Sequence, residues 1–412
     1  MTQSTIRQQL YDYIKDLWVV DGHEHLTTEE YALAQPVDFS WLFSHYCTLD
    51  LLSAGMPQAD YDAFFAPDTP LERKWELFAP YWPRIEDCGY SRTVKLVMEH
   101  DYGIEELNAR TYQTLTERMI ARRRPGYYET QLNESKIRVA LNNADSPEGI
   151  LSGMYFREST DRLKAVVRVP GSITSQGMRS EGFFESGVRS LSDLDERAAQ
   201  FVQKVHDIGG ASIKIMTGYT YTGVDTQAAK NELERLLRAG KENTDSEVLY
   251  WYVLERIMAE AEKFDLPFSA HTGYWGDFRA MSPEKYIYVA DTHPKNRFDI
   301  FHLGYPYVKS ALMLSKTRPN VFLNMCWVHD ISPTLAFEAI GQIVDFLPLN
   351  KVFGFGGDYF KIEMLYGHRE MMNRTLSRAL AAKVDDGTLT PARAFVWAKA
   401  MLQDNPAAFY RV

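Results

Sequence analysis

Residues Leu17 to Leu26 read LWVVDGHEHL, an apolar run that closes in two histidines, His23 and His25. A short continuous apolar run ending in polar residues suits a strand buried on both faces, as in a parallel sheet. Seven later stretches have the same form. They are KIRVALNNAD from Lys136, LKAVVRVPG from Leu163, ASIKIMTGY from Ala211 and LPFSAHTGYW from Leu266, then FDIFHLGYPY from Phe298, NVFLNMCWV from Asn320 and KVFGFGGDY from Lys351. Helical spacing fills most of the gaps. Leu194 to Ile208 puts Phe201, Val202 and Val205 on one face, Val248 to Phe264 repeats the pattern, and Ser332-Pro333 opens a third helix. Eight strands with helices between them predict a (β/α)₈ TIM barrel in preference to an open doubly wound sheet. The whole chain, 1–412, is then one domain.

One spacer breaks the rhythm. Residues 27–135 separate the first strand from the second and are rich in Trp, Tyr and helical spacing, as in WLFSHYCTLDLLSAGM and LERKWELFAPYWPRI. They read as a helical insertion. Loops that follow barrel strands form the catalytic face, so the insertion is expected over the C-terminal mouth; a separate helical subdomain for oligomer contacts is the alternative.

Composition narrows the class. The chain has 45 Lys and Arg against 55 Asp and Glu, a formal charge of −10, with 45% hydrophobic and 24% charged residues. That is ordinary globular composition. A net acidic chain lacks the charge expected for binding a phosphate backbone, so no nucleic acid partner is expected. Cys47, Cys88 and Cys326 are odd in number and far apart, which argues against a disulfide framework or a Cys-based zinc site. No signal-like start and no run of about 18 apolar residues appears, so a soluble, cytoplasmic protein with no membrane partner is expected. The phosphate loop G-x-x-x-x-G-K-[ST], the G-x-S-x-G elbow and a G-x-G-x-x-G after a strand are all missing.

The histidines gather at strand ends. His23 and His25 close the first run, His271 the fifth and His302 the sixth, and Asp358 closes the eighth. Side chains at the C-terminal ends of barrel strands converge on the mouth, and residues i and i+2 of a strand face one side. His23, His25, His271 and Asp358 are therefore expected to hold a divalent metal, imidazole and carboxylate suiting Zn, Fe, Mn or Co. His45, His100, His206, His293 and His368 are read as packing or surface residues, and His329 is open to either role. Arg168, at the end of the third run, is a candidate for a substrate carboxylate or for an ion pair. Tyr219, Trp275 and Trp327 also follow strand ends and suit an aromatic, hydrogen-bonding pocket for a small polar substrate, or barrel packing.

DGHEHL resembles the H-x-H signature that opens barrels of the amidohydrolase superfamily. The downstream order is similar too: Lys214 in SIKIMTG, His271 in FSAHTG, His302 in IFHLGYP and Asp358 in FGGDY. MLQDNPAAFYRV resembles the closing helix of the amidohydrolase-related branch, and a long helical insert after the first strand is also similar to uronate isomerases. The resemblance implies one or two divalent ions, zinc first among them. It implies that Asp358 acts as general base toward a metal-activated water, and that His302 binds a second ion or polarises the substrate carbonyl. Lys214 would bridge two ions as a carbamate, or else pair with a carboxylate of the barrel or of the substrate. The leading expectation is a hydrolase of a small amide, lactone or ester; a decarboxylase or uronate-type isomerase on the same metal site is the alternative. A binding protein without turnover fits less well with a full ligand set. The chain is also a possible homo-oligomer.

Overall fold

Each of the eight apolar runs contains a strand. They are β1 (Val19–Glu24), β2 (Ile137–Asn142), β3 (Leu163–Arg168), β4 (Ser212–Ile215), β5 (Phe268–Ala270), β6 (Phe298–Ile300), β7 (Val321–Asn324) and β8 (Val352–Phe353). The structure, a computed structural model, describes residues 3–143, 154, 156–169, 188–239, 246–273 and 277–412. The strands pair in chain order, every pair parallel. Three backbone bonds carry the segment after β8 back to β1: Gly22 N–H to Phe355 O at 3.1 Å, Asp358 N–H to His23 O at 2.8 Å and His25 N–H to Tyr359 O at 3.2 Å. The result is a nearly closed TIM barrel.

Apart from β3, whose two ends are half-buried, the strands are almost wholly buried, which is why they read as unbroken apolar runs. Helices Leu191–Asp207, Glu247–Phe264 and Pro333–Phe346 follow the helical spacing, and the last is capped by the Ser332 side chain with Pro333 in its first turn. The final helix, Asn405–Tyr410, packs Phe409 and Tyr410 against Leu141, Val166 and Phe353. Among the described residues, no helix is long and apolar enough to cross a membrane.

Between β1 and β2 the chain forms a series of short helices, from Glu29–Ala34 to Tyr127–Glu134. An aromatic knot joins several of them: the Phe64 and Phe78 rings stack at 5.1 Å, Phe43 lies 4.6 Å from Phe78, and Phe39 packs edge-on to both Phe78 and Tyr112. Buried aromatic pairs of this kind stabilise by about 0.5–1.5 kcal/mol each beyond their burial. The knot belongs to the same apolar core as β1 and the barrel helices.

Candidate metal centre

The β1 segment Asp21-Gly22-His23-Glu24, with His25 after it, builds one side of the site, and the loop after β8 builds the other. His23 Nε2 lies 3.3 Å from Asp358 Oδ1, and His25 Nε2 lies 3.2 Å from the same oxygen. Among the described residues, these three form the one group of His, Cys, Asp or Glu ligand atoms within metal-binding reach, all within 4.8 Å of one another. Tetrahedral bonds of roughly 2.0–2.1 Å imply ligand atoms about 3.3 Å apart. Both separations match that edge.

The electrostatics also fit a cation. Burial raises the Asp358 carboxyl, but contacts with His23 and His25 outweigh it and hold the group well below the ordinary carboxylate range. Burial, then the Lys214 charge, keeps His23 well below its usual value, so its ring is neutral with a lone pair to offer. The Lys214 amine sits 3.1 Å from His23 Nε2 and 4.3 Å from the centre of the Phe301 ring. A buried carboxylate beside neutral imidazoles is the donor set a divalent ion requires, and the fold implies such an ion.

His271 and His302 stand at the neighbouring edge. His302 Nε2 is 3.3 Å from His271 Nδ1 and 3.9 Å from Asp358 Oδ2, while His302 Nδ1 meets the Cys326 carbonyl at 3.2 Å. Both His302 nitrogens are therefore engaged. Burial lowers His302 to about 4, and burial followed by the nearby His302 ring lowers His271 well below its usual range. His271 Nε2 is buried with no hydrogen-bond partner among the described residues.

The loop after β8 is held by the first turn of the motif. Glu24 accepts from Gly357 N–H at 2.9 Å and from Tyr359 N–H at 3.0 Å, and Asp21 accepts from Gly357 N–H at 3.1 Å and Tyr359 O–H at 3.2 Å. Burial raises both carboxyls, and the Asp21 charge and hydrogen bond raise Glu24 further. Asp358 lies between their two partners. At Gly356 an added Cβ would stand 2.5 Å from the Cys326 Cβ and 3.1 Å from His23 N, which accounts for glycine there. Four non-glycine residues around the site have left-handed backbone: His45 (φ 80°), His302 (φ 61°), Trp327 (φ 70°) and Asp358 (φ 54°). Such positions cost roughly 1–3 kcal/mol each and persist where the surrounding structure imposes them.

The segment between β1 and β2 contributes a residue that sequence reasoning missed. Tyr46 O–H donates a short hydrogen bond to Asp358 Oδ2. Burial first, then Asp358, raises its phenol well above 10.0, so it stays protonated. His45 packs on the Tyr46 ring at 3.8 Å and on Phe360 at 4.2 Å, and burial lowers it to about 3. Nothing in WLFSHYCTLD marks either residue except its place on a segment that follows β1.

The other substrate-binding expectations fall in different places. Trp327 lies 5.3 Å from His302 and 5.1 Å from Tyr46, ring to ring. Arg168 pairs in register with Lys214 on the adjacent strand, and its charge reaches Tyr250. The Tyr219 ring packs on Tyr250 at 5.5 Å. Trp275 lies outside the described residues.

A parallel eight-stranded barrel with two histidines closing β1 and an aspartate after β8 defines the class, a TIM barrel with a candidate metal centre at one edge. Residues 218–412 match the amidohydrolase family model. No curated protein matches the chain in sequence. Its fold is similar to uronate isomerase from Thermotoga maritima (TM-score 0.79, 16% identity, covering 98% of this chain and 97% of that one). It is similar to glucuronate isomerase from Caulobacter crescentus (TM-score 0.80, 17% identity, 99% and 94%). A putative metal-dependent hydrolase from Lactobacillus casei shares the fold less tightly (TM-score 0.65, 15% identity, 98% and 97%).

Proposed function

We propose that this protein is a metal-dependent isomerase of a small sugar acid, interconverting a uronate aldose and its ketose. The observation that carries the reading is the Tyr46–Asp358 contact beside the metal-binding trio. Aldose–ketose isomerisation moves a proton between adjacent carbons and another between adjacent oxygens. It needs one group that takes and returns a carbon-bound proton and one that holds a proton at oxygen. Asp358, kept ionised, suits the first role. Tyr46, kept protonated, suits the second. The divalent ion, when bound by His23, His25 and Asp358, polarises the carbonyl and hydroxyl of a chelating substrate; zinc heads the ions this donor set suits, with Mn, Fe and Co also compatible. Arg168 is the proposed partner of the substrate carboxylate through two parallel N–H bonds. Trp327 would form one wall, with Tyr219 and Trp275 nearer the rim, and Lys214 would keep His23 neutral and so able to bind metal. The insertion 27–135 would close the mouth from above through Tyr46.

Support comes from the whole-length likeness to two uronate isomerases, which spans nearly all of this chain, including the residues between β1 and β2. Hydrolysis, the leading expectation from sequence, stays as the second reading because of the amidohydrolase match over 218–412. Metal-loaded protein incubated with D-glucuronate and with D-galacturonate, followed by proton NMR, separates the two. The expected result is appearance of the corresponding ketose. If neither uronate is converted while lactones or N-acyl amino acids are cleaved, the isomerase reading fails; loss of carbon dioxide from the substrate would point instead to decarboxylation.

A further inference from the structure

A second cavity of about 370 Å³ lies away from the metal centre, where helices Gln3–Asp16, Gly89–Tyr102 and Leu365–Asp385 meet. Arg7, Arg92, Lys95, Arg374 and Arg378 line it, and no Asp or Glu does so among the described residues. Five cations on one cavity run against the average of a chain whose formal charge is −10. Their spacing makes the point sharper. Arg92 and Lys95 are three apart on one helix, and Arg374 and Arg378 are four apart on another. Like charges at these spacings share a helix face and repel by about 0.2–0.5 kcal/mol per pair.

Part of this charge is offset inside the protein. Lys95 meets Glu86 at 2.9 Å and Arg374 meets the buried Glu370 at 2.6 Å. Arg7, Arg92 and Arg378 have no acidic partner among the described residues, although Arg378 stacks over the Phe337 ring at 4.3 Å. Pro333 also lines the cavity, which brings up the N-terminal end of the 14-residue helix Pro333–Phe346. That end adds the positive pole of the helix dipole.

We propose that this cavity binds a small molecule carrying two or more phosphoryl groups. Three guanidiniums without carboxylate partners offer paired N–H donors that match phosphate oxygens, and Arg serves this purpose better than Lys because its fork is rigid. A monocarboxylate would neutralise one of them and leave the rest repelling. The cavity volume is at the lower end for small-molecule sites, room for a nucleotide or a sugar bisphosphate.

The test is calorimetric titration of the full, metal-loaded chain with inorganic tripolyphosphate and with orthophosphate at fixed low ionic strength. Tripolyphosphate is expected to bind one per chain and at least tenfold more tightly than orthophosphate. The Arg92→Ser/Arg378→Ser double variant, altered at exposed positions, should lose at least tenfold in affinity, while Arg92→Lys/Arg378→Lys should lose less. Three results overturn the proposal: no saturable binding to the parental chain; heat reproduced by sodium chloride at equal ionic strength; or undiminished binding in the Ser double variant, which would put the anion at the metal centre or elsewhere.

Discussion

At the β1/β8 edge of the barrel mouth, two imidazoles and a carboxylate turn their ligand atoms toward one another at 3.2 and 3.3 Å. At the β5/β6 edge two further imidazoles face each other instead, His302 Nε2 to His271 Nδ1 at 3.3 Å, with the second His302 nitrogen on the Cys326 carbonyl. The residue types are nearly the same. The difference lies in what holds them. The first edge is tied by backbone bonds between β1 and the segment after β8, and by Asp21 and Glu24 gripping the residues on either side of Asp358. At the second edge both His302 nitrogens meet local partners, while His271 Nε2 has no hydrogen-bond partner among the described residues. Ligand-type residues become a candidate metal site where their ligand atoms converge, as those of His23, His25 and Asp358 do at the β1/β8 edge.

The largest effect is expected at Asp358. Asp358→Asn keeps the size of the side chain but cannot take up a proton, and activity measured at full metal occupancy should fall by roughly 10²–10⁴. A fully metallated Asp358→Asn protein with near-parental turnover would show that the base lies elsewhere, with His302 next in line.

Metal binding tests the comparison directly. His23→Ala should weaken metal affinity by at least about 100-fold, because even residues that merely orient a ligand cost 10–100-fold. His271→Ala should leave metal content, measured by elemental analysis, close to parental. Equal loss in both variants would mean that the two edges share the ion.

Tyr46→Phe removes one hydrogen bond to a charged oxygen, an interaction of about 1.5–3 kcal/mol. If that strength is used in the reaction, turnover should drop about 10–100-fold with metal content unchanged. Unaltered turnover would reduce Tyr46 to packing.

A separate prediction concerns stability and does not touch the metal centre. Asp299, buried in the barrel between Tyr410 and Asn324, is raised by burial to about 7. Below its unfolded value of 3.8 both states carry the proton; between that value and about 7 only the folded state does. The stabilisation from this group is therefore full below pH 3.8 and lost as pH rises toward 7, by up to about 1.4 kcal/mol per pH unit. Thermal melts of the parent and Asp299→Asn at pH 4.5 and 7.5 should show the smaller change in the variant. Equal changes would mean that Asp299 does not titrate in this window.

The eight strands were legible in the sequence because a strand covered on both faces must be apolar along its length, whatever its neighbours are. His23 and His25 were legible as a pair because alternate residues of a strand face one way, and Asp358 because a lone carboxylate closes the last run. Three features depended on the tertiary structure. Helical spacing in 27–135 is compatible with many ways of docking, so nothing local to WLFSHYCTLD determines that Tyr46 reaches Asp358. Convergence of ligand atoms around the mouth is set by distances across the barrel, which strand order alone leaves free, so the sequence grouped His271 with His23, His25 and Asp358 although its Nδ1 faces His302. The left-handed backbone at His302, Trp327 and Asp358 is likewise imposed by the packed loops around them, since an isolated chain would relax out of it.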